Sequence, residues 1–311
     1  MLKHFGSKVR NLRVTRNITR EDFCGDETEL SVRQLARIES GQSIPNLTKA
    51  HYIAKQLNVK LDILTGGESL ELPKRYKELK YLILRIPTYA DAERLKLREC
   101  QFDHIFEEFY DNLPEDECLA IDSLQAKFEV YQTGDINFGV EVLCECFDKV
   151  KYKEKYTLND LIIIDLFLTC AVVSKFNNRA FTKEVFQTIC KTLISQNHKL
   201  TAEDLFWFNH VLLNCVFVGL CLNSEECLAE MLEVSRQTMV STHDFHKMPL
   251  YFMYQWKYFI TIDNDIKSAE NAYQQSIMFS KMIDDKHLIK KIRIGVARRY
   301  NRTLMSCDSE V

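Results

Sequence analysis

Arg33 and Arg37, with Gln34 beside the first, are the side chains of this sequence best suited to reading a polyanion. They lie in the stretch "LSVRQLARIESGQSIPN", Leu30 to Asn46. On a helix of about 3.6 residues per turn over Ser31–Ser40, Leu35 and Ile38 share one face. Arg33, Arg37 and Ser40 share the opposite face, with Gln34 at its edge. An apolar back and a hydrogen-bonding front is the arrangement that a major groove accepts. A guanidinium can bond guanine O6 and N7 together, and a Gln amide can bond adenine N6 and N7. Ser31, Gln42, Ser43 and Lys49 fall where phosphates would be contacted. The competing reading is a charged, solvated face of an ordinary helix.

The surrounding residues supply the frame such a helix needs. The first helix covers Lys3 to Arg16, with Phe5, Val9 and Leu12 inward. Thr19 opens a second through Phe23, with Asp22 in a capping-box-like arrangement. Ser31 is a good N-cap for the third, which ends before Gly41. Asn46 caps a fourth, with Leu47, Ala50, Ile53, Ala54 and Leu57 inward, and "KLDIL" makes a short fifth turn. Residues 1–66 are thus expected to form a small five-helix domain, with a linker at 67–73.

From 74 to 304 the pattern is helix after helix. Starts are expected at Asp91, Pro114-Glu115, Asp135, Thr157, Thr182, Thr201, Ser224 and Asp263. Alternate starts recur every 42 to 47 residues, as Thr157, Thr201 and His246 or Asp135, Thr182 and Ser224 do. That period suggests stacked helical hairpins, an α-solenoid. "AENAYQQS" keeps a fragment of the tetratricopeptide pattern, Ala269 and Tyr273. The fold class is therefore all-α.

Composition narrows the chemistry. The 311 residues are 46% hydrophobic with only 9 Gly and 5 Pro, which suits a folded helical protein. The net charge of −3 conceals a partition: residues 1–66 carry +4 and the remainder −7. The 11 Cys include no CxxC pair, so a zinc site of ordinary spacing is not expected, nor a disulfide framework. They read as reduced packing residues, with Cys144 and Cys146 on different faces of one helix. His104, His198, His210, His243, His246 and His287 form no i,i+4 metal pair. No HExxH, GxSxG or P-loop pattern is present, so neither an enzyme nor a cofactor is expected. The run Leu161–Val173, interrupted by Asp165, is too short to span a bilayer. The expectation is a cytoplasmic protein with no membrane partner.

The string "RIESGQSIPNL…YIAKQLNV…ILTGG" resembles the XRE-type helix-turn-helix family. In that family the glutamate pairs with an arginine of the first helix, so Glu39 is expected on Arg10. "CGDETELS" departs from the family in being a longer turn before the third helix. Over nearly the whole chain, "LPKRYKELKYLILRIPTYADAERLK", "FYDNLPEDE" and "DLFWFNHVLLN" resemble ComR-type competence regulators of the Rgg group.

That resemblance implies a right-handed solenoid of degenerate tetratricopeptide-like hairpins that binds a short, imported, hydrophobic pheromone peptide of the XIP kind, with paired tryptophans. It implies release of the DNA-binding domain, homodimerisation on an inverted-repeat promoter in double-stranded DNA, and activation of competence genes. Carried over by position, Arg33 and Arg37 match the base-reading arginines, and Glu115 matches an acid that latches the first of them, Arg33, in the idle state. Thr88, Arg98 and Asn209 match positions around the peptide, while Ala90 stands where some relatives have a basic residue.

The residues themselves bear on these assignments. An Asn amide offers an extended peptide both a donor and an acceptor. Trp207, Trp256, Tyr251 and Phe252 are able to wall an aromatic pocket or to be plain core. Arg98 suits a peptide carboxylate or a solvated helix face. "PEDE" also suits an ordinary acidic first turn. Lys290, Lys291, Arg293, Arg298 and Arg299 read as a solvated helix face. The alternative function is a helix-turn-helix repressor whose helical repeats dock a protein partner.

Overall fold

The computed structural model describes residues 4–67, 70–88, 90–178, 181–196, 200–222 and 224–295. Linker residues Glu68 and Ser69, His198, Arg298, Arg299, Cys307 and the expected domain end at 304 lie outside the described residues. The described residues are helical, with no β-strand among them. They divide into two compact units, residues 1–86 with 96–122, and residues 87–95 with 123–311.

The first unit contains α1 (Phe5–Thr15), α2 (Arg20–Cys24), α3 (Val32–Glu39), α4 (Leu47–Gln56), α5 (Leu61–Thr65) and α6 (Lys74–Arg85). It also holds residues 96–108 of α7 (Ala92–Glu108), a 3₁₀ turn at Tyr110–Asn112, and residues 115–122 of α8 (Glu115–Thr133). Three starts are capped as the sequence suggests. Thr19 accepts from the Asp22 amide, Ser31 from Gln34 at 3.2 Å and Asn46 from Lys49 at 2.9 Å. Phe5, Val9, Leu30, Leu35, Ile53 and Leu57 form one apolar core. α1 and α3 meet so closely that a Cβ on Gly6 would sit 1.9 Å from the Ile38 carbonyl oxygen.

The second unit contains α9 (Asn137–Val150), α10 (Leu158–Val173), α11 (Lys183–Gln196), α12 (Leu205–Leu222), α13 (Leu228–Thr242), α14 (Met248–Tyr258) and α15 (Ile266–Met282). Neighbouring helices pair as hairpins. α10, α12 and α14 also pack side by side, as do α11 and α13, giving two layers of stacked hairpins. Starts in the first layer fall 47 and 43 residues apart, and those of α9, α11 and α13 fall 46 and 45 apart. Thr157 and Asp160 close a full capping box on α10. Ala269 and Tyr273 pack with Trp256, where the tetratricopeptide fragment expects a contact.

Three starts differ from expectation. α12 begins at Leu205, after a turn at 202–204, not at Thr201. α13 begins at Leu228 after a left-handed Cys227, not at Ser224. Asp265, not Asp263, caps α15, because a π-turn at Phe259–Asp263 prolongs α14 past the expected stop.

The helix α12 is long and apolar enough to cross a membrane by length and composition alone. Here it packs against α10, α11, α13 and α14. Cys146 is buried and Cys144 exposed, and the described cysteines are free thiols.

Candidate functional site

Helix α3 is built as an apolar wedge with a polar edge. Leu35 and Ile38 are buried against α1 and α4, Arg33 is exposed, and Gln34 and Arg37 are half-buried. The long turn before it contributes to its start: the Glu27 carboxylate accepts from the Val32 amide at 3.1 Å, where the helix dipole favours an anion. Gln42 is exposed, and Ser31, Ser43 and Lys49 are half-buried on the segments flanking α3.

Glu39 pairs with Arg13 and Arg20, not with Arg10. Arg13 approaches it at 2.6 and 3.0 Å and Arg20 at 2.8 Å. Arg13 continues the buried stripe of Phe5 and Val9 at four-residue spacing, whereas Arg10 falls off that stripe and is exposed. Burial pushes the Glu39 carboxyl up, but the two guanidinium groups outweigh it and hold it below the usual carboxylate range.

The acidic turn at the start of α8 reaches α3 and α4. Arg37 Nη1 lies 3.0 Å from Glu115 Oε1. Asn46, while capping α4 through its oxygen, donates through Nδ2 to Asp116 Oδ2 at 3.0 Å. Ile44 and Pro114 form a short parallel backbone bridge. Glu117 points the other way into the unit, accepting from Tyr76 Oη and Lys80 Nζ, each at 2.6 Å. The acidic turn is therefore anchored on one side and engaged with the helix-turn-helix on the other.

This arrangement corrects the expectation for Glu115. Its partner is Arg37, and Arg33 is exposed. The Asn46–Asp116 and Ile44–Pro114 contacts hold the acidic turn beside the C-terminal end of α3. Arg33 sits one turn, about 6 Å, further along the axis.

The candidate ligand residues divide between the units. Arg98 belongs to the first, where its guanidinium donates to the Gln101 side chain at 3.1 Å and to the Ile86 carbonyl; burial lowers its pKa to about 10. The other four are in the second unit. Thr88 is half-buried, its carbonyl accepting from the Asp91 amide at 2.9 Å, and Ala90 is exposed with a φ of 56°. Trp207, Asn209 and Tyr251 are buried. Tyr251 Oη accepts from Gln255 at 3.0 Å, and Ser235 donates to Asn209 Oδ1 at 2.6 Å. Trp256 packs into the α14–α15 core, and Phe252 stacks on Phe279 at 5.5 Å.

Beside Trp207 lies a polar cluster that sequence reasoning did not assemble. Asp165 is fully buried in α10; it accepts from Lys127 and, at 2.6 Å, from Asn214, and lies 3.4 Å from His210 Nε2. Lys247 Nζ stands 3.3 Å from His210 Nδ1. Asn214 Nδ2 lies 3.2 Å from His210 Nε2, so both ring nitrogens face a donor, and a neutral imidazole accepts from only one of them. Burial, then Lys247, pushes the imidazole pKa down to about 4. The ring packs on Trp207 with centroids 4.3 Å apart and planes tilted by 36°, and Lys127 lies 5.7 Å from the indole centroid. The sequence signal was Asp165 itself, a lone carboxylate inside an apolar run.

Comparison with known proteins bears on both regions. A family described as ComR tetratricopeptide matches residues 73–295, and a helix-turn-helix family matches residues 9–64. The chain is similar to the ComR structure from Streptococcus suis at 36% identity and a TM-score of 0.77, covering 95% of this chain and 94% of that one. It is similar at 26% identity to ComR from S. thermophilus in complex with DNA and its signalling peptide ComS, with a TM-score of 0.66 over 94% and 98% of the chains. The competence regulator ComR from S. vestibularis, in complex with its cognate signalling peptide XIP, shares 27% identity over 96% and 99%, with a TM-score of 0.65. Among curated proteins no sequence match is found.

Proposed function

The chain belongs to the ComR family, and from that premise we propose that it is a transcription regulator switched on by a short signalling peptide. In this reading residues 1–66 bind double-stranded DNA, 67–73 link, and 74–304 sense the peptide and dimerise. The observation that carries it is the engagement of Arg37 by Glu115 at 3.0 Å, because a base-reading guanidinium is held by a carboxylate of the same chain.

Without peptide, Arg37 and Asn46 are bonded to the acidic turn of α8, and α3 is not free to enter a major groove. The peptide docks in the solenoid against Trp207, Asn209 and Tyr251, with Thr88 and Arg98 as further contacts. Docking opens the latch. Two copies then bind an inverted repeat, with Arg33, Gln34 and Arg37 at base edges and Ser31, Gln42, Ser43 and Lys49 on phosphates. This reading transfers to the chain what the S. thermophilus and S. vestibularis relatives are described as binding.

The latch is suited to switching because it is weak. An exposed ion pair contributes about 0–1 kcal/mol, so no single contact locks the domain. The Arg37–Glu115 pair, the Asn46–Asp116 bond and the Ile44–Pro114 bridge together bias the equilibrium by a few kcal/mol, a gap that peptide binding readily reverses.

Sedimentation velocity tests the proposal on the full chain, with and without the XIP peptide of the S. vestibularis relative and other short hydrophobic peptides that carry paired tryptophans. A peptide-induced monomer-to-dimer shift is expected. An unchanged sedimentation coefficient with every peptide contradicts it and favours the repressor that docks a protein partner.

A further inference from the structure

Helix α6 is bonded, along its length, both to a candidate peptide contact and to the acidic turn of the latch. Its buried face follows the four-residue spacing of Tyr76, Lys80 and Leu84. Tyr76 and Lys80 therefore share one side, and both donate to Glu117 Oε2 at 2.6 Å. Glu117 lies in the first turn of α8 with Glu115 and Asp116. At the other end of α6, the carbonyl of its C-cap, Ile86, accepts from the Arg98 guanidinium. A helix C-terminus carries partial negative charge, so a cation suits it. Arg98 Nε is bonded to the Gln101 side chain, and no carboxylate pairs with Arg98 among the described residues. Residues 76, 80, 86, 98, 101 and 117 all belong to the first compact unit, as do Arg37 and Glu115.

The two grips on the acidic turn are unequal. Lys80 and Glu117 have side chains 9% and 11% exposed, against 39% and 34% for Arg37 and Glu115. Separating a buried pair leaves a charge without water or partner, whereas a solvated pair opens at little cost. When α6 shifts, the acidic turn therefore stays with α6, and the latch is the contact that opens. We infer that α6 is the strut coupling peptide docking to the latch, with Arg98 as its tie and Tyr76, Lys80 and Glu117 as its grip on the acidic turn. This rests on the proposed roles of Arg98 and of the latch, and it supplies the link between them. A ligand carboxylate makes a charge-assisted pair with the guanidinium, a stronger bond than the one to the neutral Ile86 carbonyl. Arg98 turns to the ligand, α6 loses its tie, and its shift carries Glu115 and Asp116 away from Arg37 and Asn46.

A double-mutant cycle on peptide-free DNA binding tests the strut on the full chain. Arg98→Met removes the tie and is expected to raise affinity for a labelled inverted-repeat duplex by about threefold or more. Loss of a positive charge by itself weakens DNA binding, so a rise is not a charge effect. Tyr76→Phe, Lys80→Met and Glu117→Met together remove the grip; they replace every partner and strand no buried charge. In that background Arg98→Met is expected to change affinity by less than about 1.5-fold. Thermal melts accompany each variant, because a purely structural Arg98 would lower the melting temperature without this dependence on the grip. No rise from R98M in the wild-type background, or an equal rise in both backgrounds, overturns the inference.

Hydrogen exchange on the wild-type chain keeps the strut testable should the triple variant not fold. The ligand is the XIP peptide of the S. vestibularis relative, or another short hydrophobic peptide with paired tryptophans that calorimetry shows to bind. At saturation it is expected to speed exchange by about threefold or more in the last turn of α6 and the first turn of α8. Unchanged exchange in both places, with the peptide bound, contradicts the strut. If Glu115→Ala with Asp116→Ala does not raise peptide-free DNA binding, the latch reading itself fails. If that pair of substitutions raises it and R98M does not, only the strut fails.

Discussion

Removing the two carboxylates that engage the helix-turn-helix should raise DNA binding in the absence of peptide. The magnitude follows from the contacts. Arg37 and Glu115 are 3.0 Å apart with 39% and 34% of their side chains exposed, so the pair falls in the screened range, about 0.5 kcal/mol. Asn46 donates to Asp116 in a half-buried setting, a hydrogen bond to a charged group worth about 1–1.5 kcal/mol. If DNA affinity scales with the unlatched fraction, Glu115→Ala alone gives roughly a twofold gain. Combined with Asp116→Ala it gives roughly 10- to 30-fold. Fluorescence anisotropy of a labelled inverted-repeat duplex at fixed salt measures both. Loss of negative charge also favours DNA non-specifically, so Glu108→Ala with Asp111→Ala, acids outside the latch contacts, serves as the charge-matched control. The control should change affinity less than twofold. A double latch variant that binds peptide-free DNA no better than the control refutes the latch.

Three further outcomes follow from the packing. Gly6→Ala places a Cβ 1.9 Å from the Ile38 carbonyl oxygen and forces α1 from α3; a loss of about 3 kcal/mol or more, with loss of DNA binding, is expected in thermal melts and anisotropy. Glu39→Ala strands the buried Arg13 and should cost about 3–5 kcal/mol, read as weakened hydrogen-exchange protection across residues 5–65. His210 keeps its ring neutral down to about pH 4 against an ordinary 6.5, so between those values the unfolded chain binds the proton and the folded chain does not. Stability should therefore fall as pH drops from 6.5 to 4, by at most about 3 kcal/mol from this group. Asp165, whose pKa is depressed, keeps its contribution above its ordinary 3.8 and adds nothing in that window. Urea melts at pH 7 and 4.5 should show a smaller drop in His210→Asn.

What the sequence made legible is what local rules govern. Thr19, Ser31, Asn46 and Thr157 act as caps because a hydroxyl or amide oxygen three residues before an orphan amide needs no tertiary information. The alternation of hairpin starts was visible for the same reason. What was not legible depends on how separate helices are brought together. The choice of Arg13 over Arg10 turns on which face of α1 meets α3. The choice of Arg37 over Arg33 turns on where Pro114 meets Ile44. The Asp165 cluster joins residues 127, 165, 210, 214 and 247, from three helices and the turn before α14, and no spacing rule links them. The Asp265 cap was missed because a π-turn carries α14 past the residue that sequence periodicity would end on.

In the proposed switch, peptide occupancy of the solenoid governs whether α3 reads DNA. The most direct measurement is the affinity of the full wild-type chain for a labelled inverted-repeat duplex, at one salt concentration, with and without saturating peptide. Weak, strongly salt-dependent binding is expected without peptide and binding at least tenfold tighter with it, lost again in Arg37→Ala. Equal affinity in the two conditions, for a peptide that calorimetry shows to be bound, would contradict it.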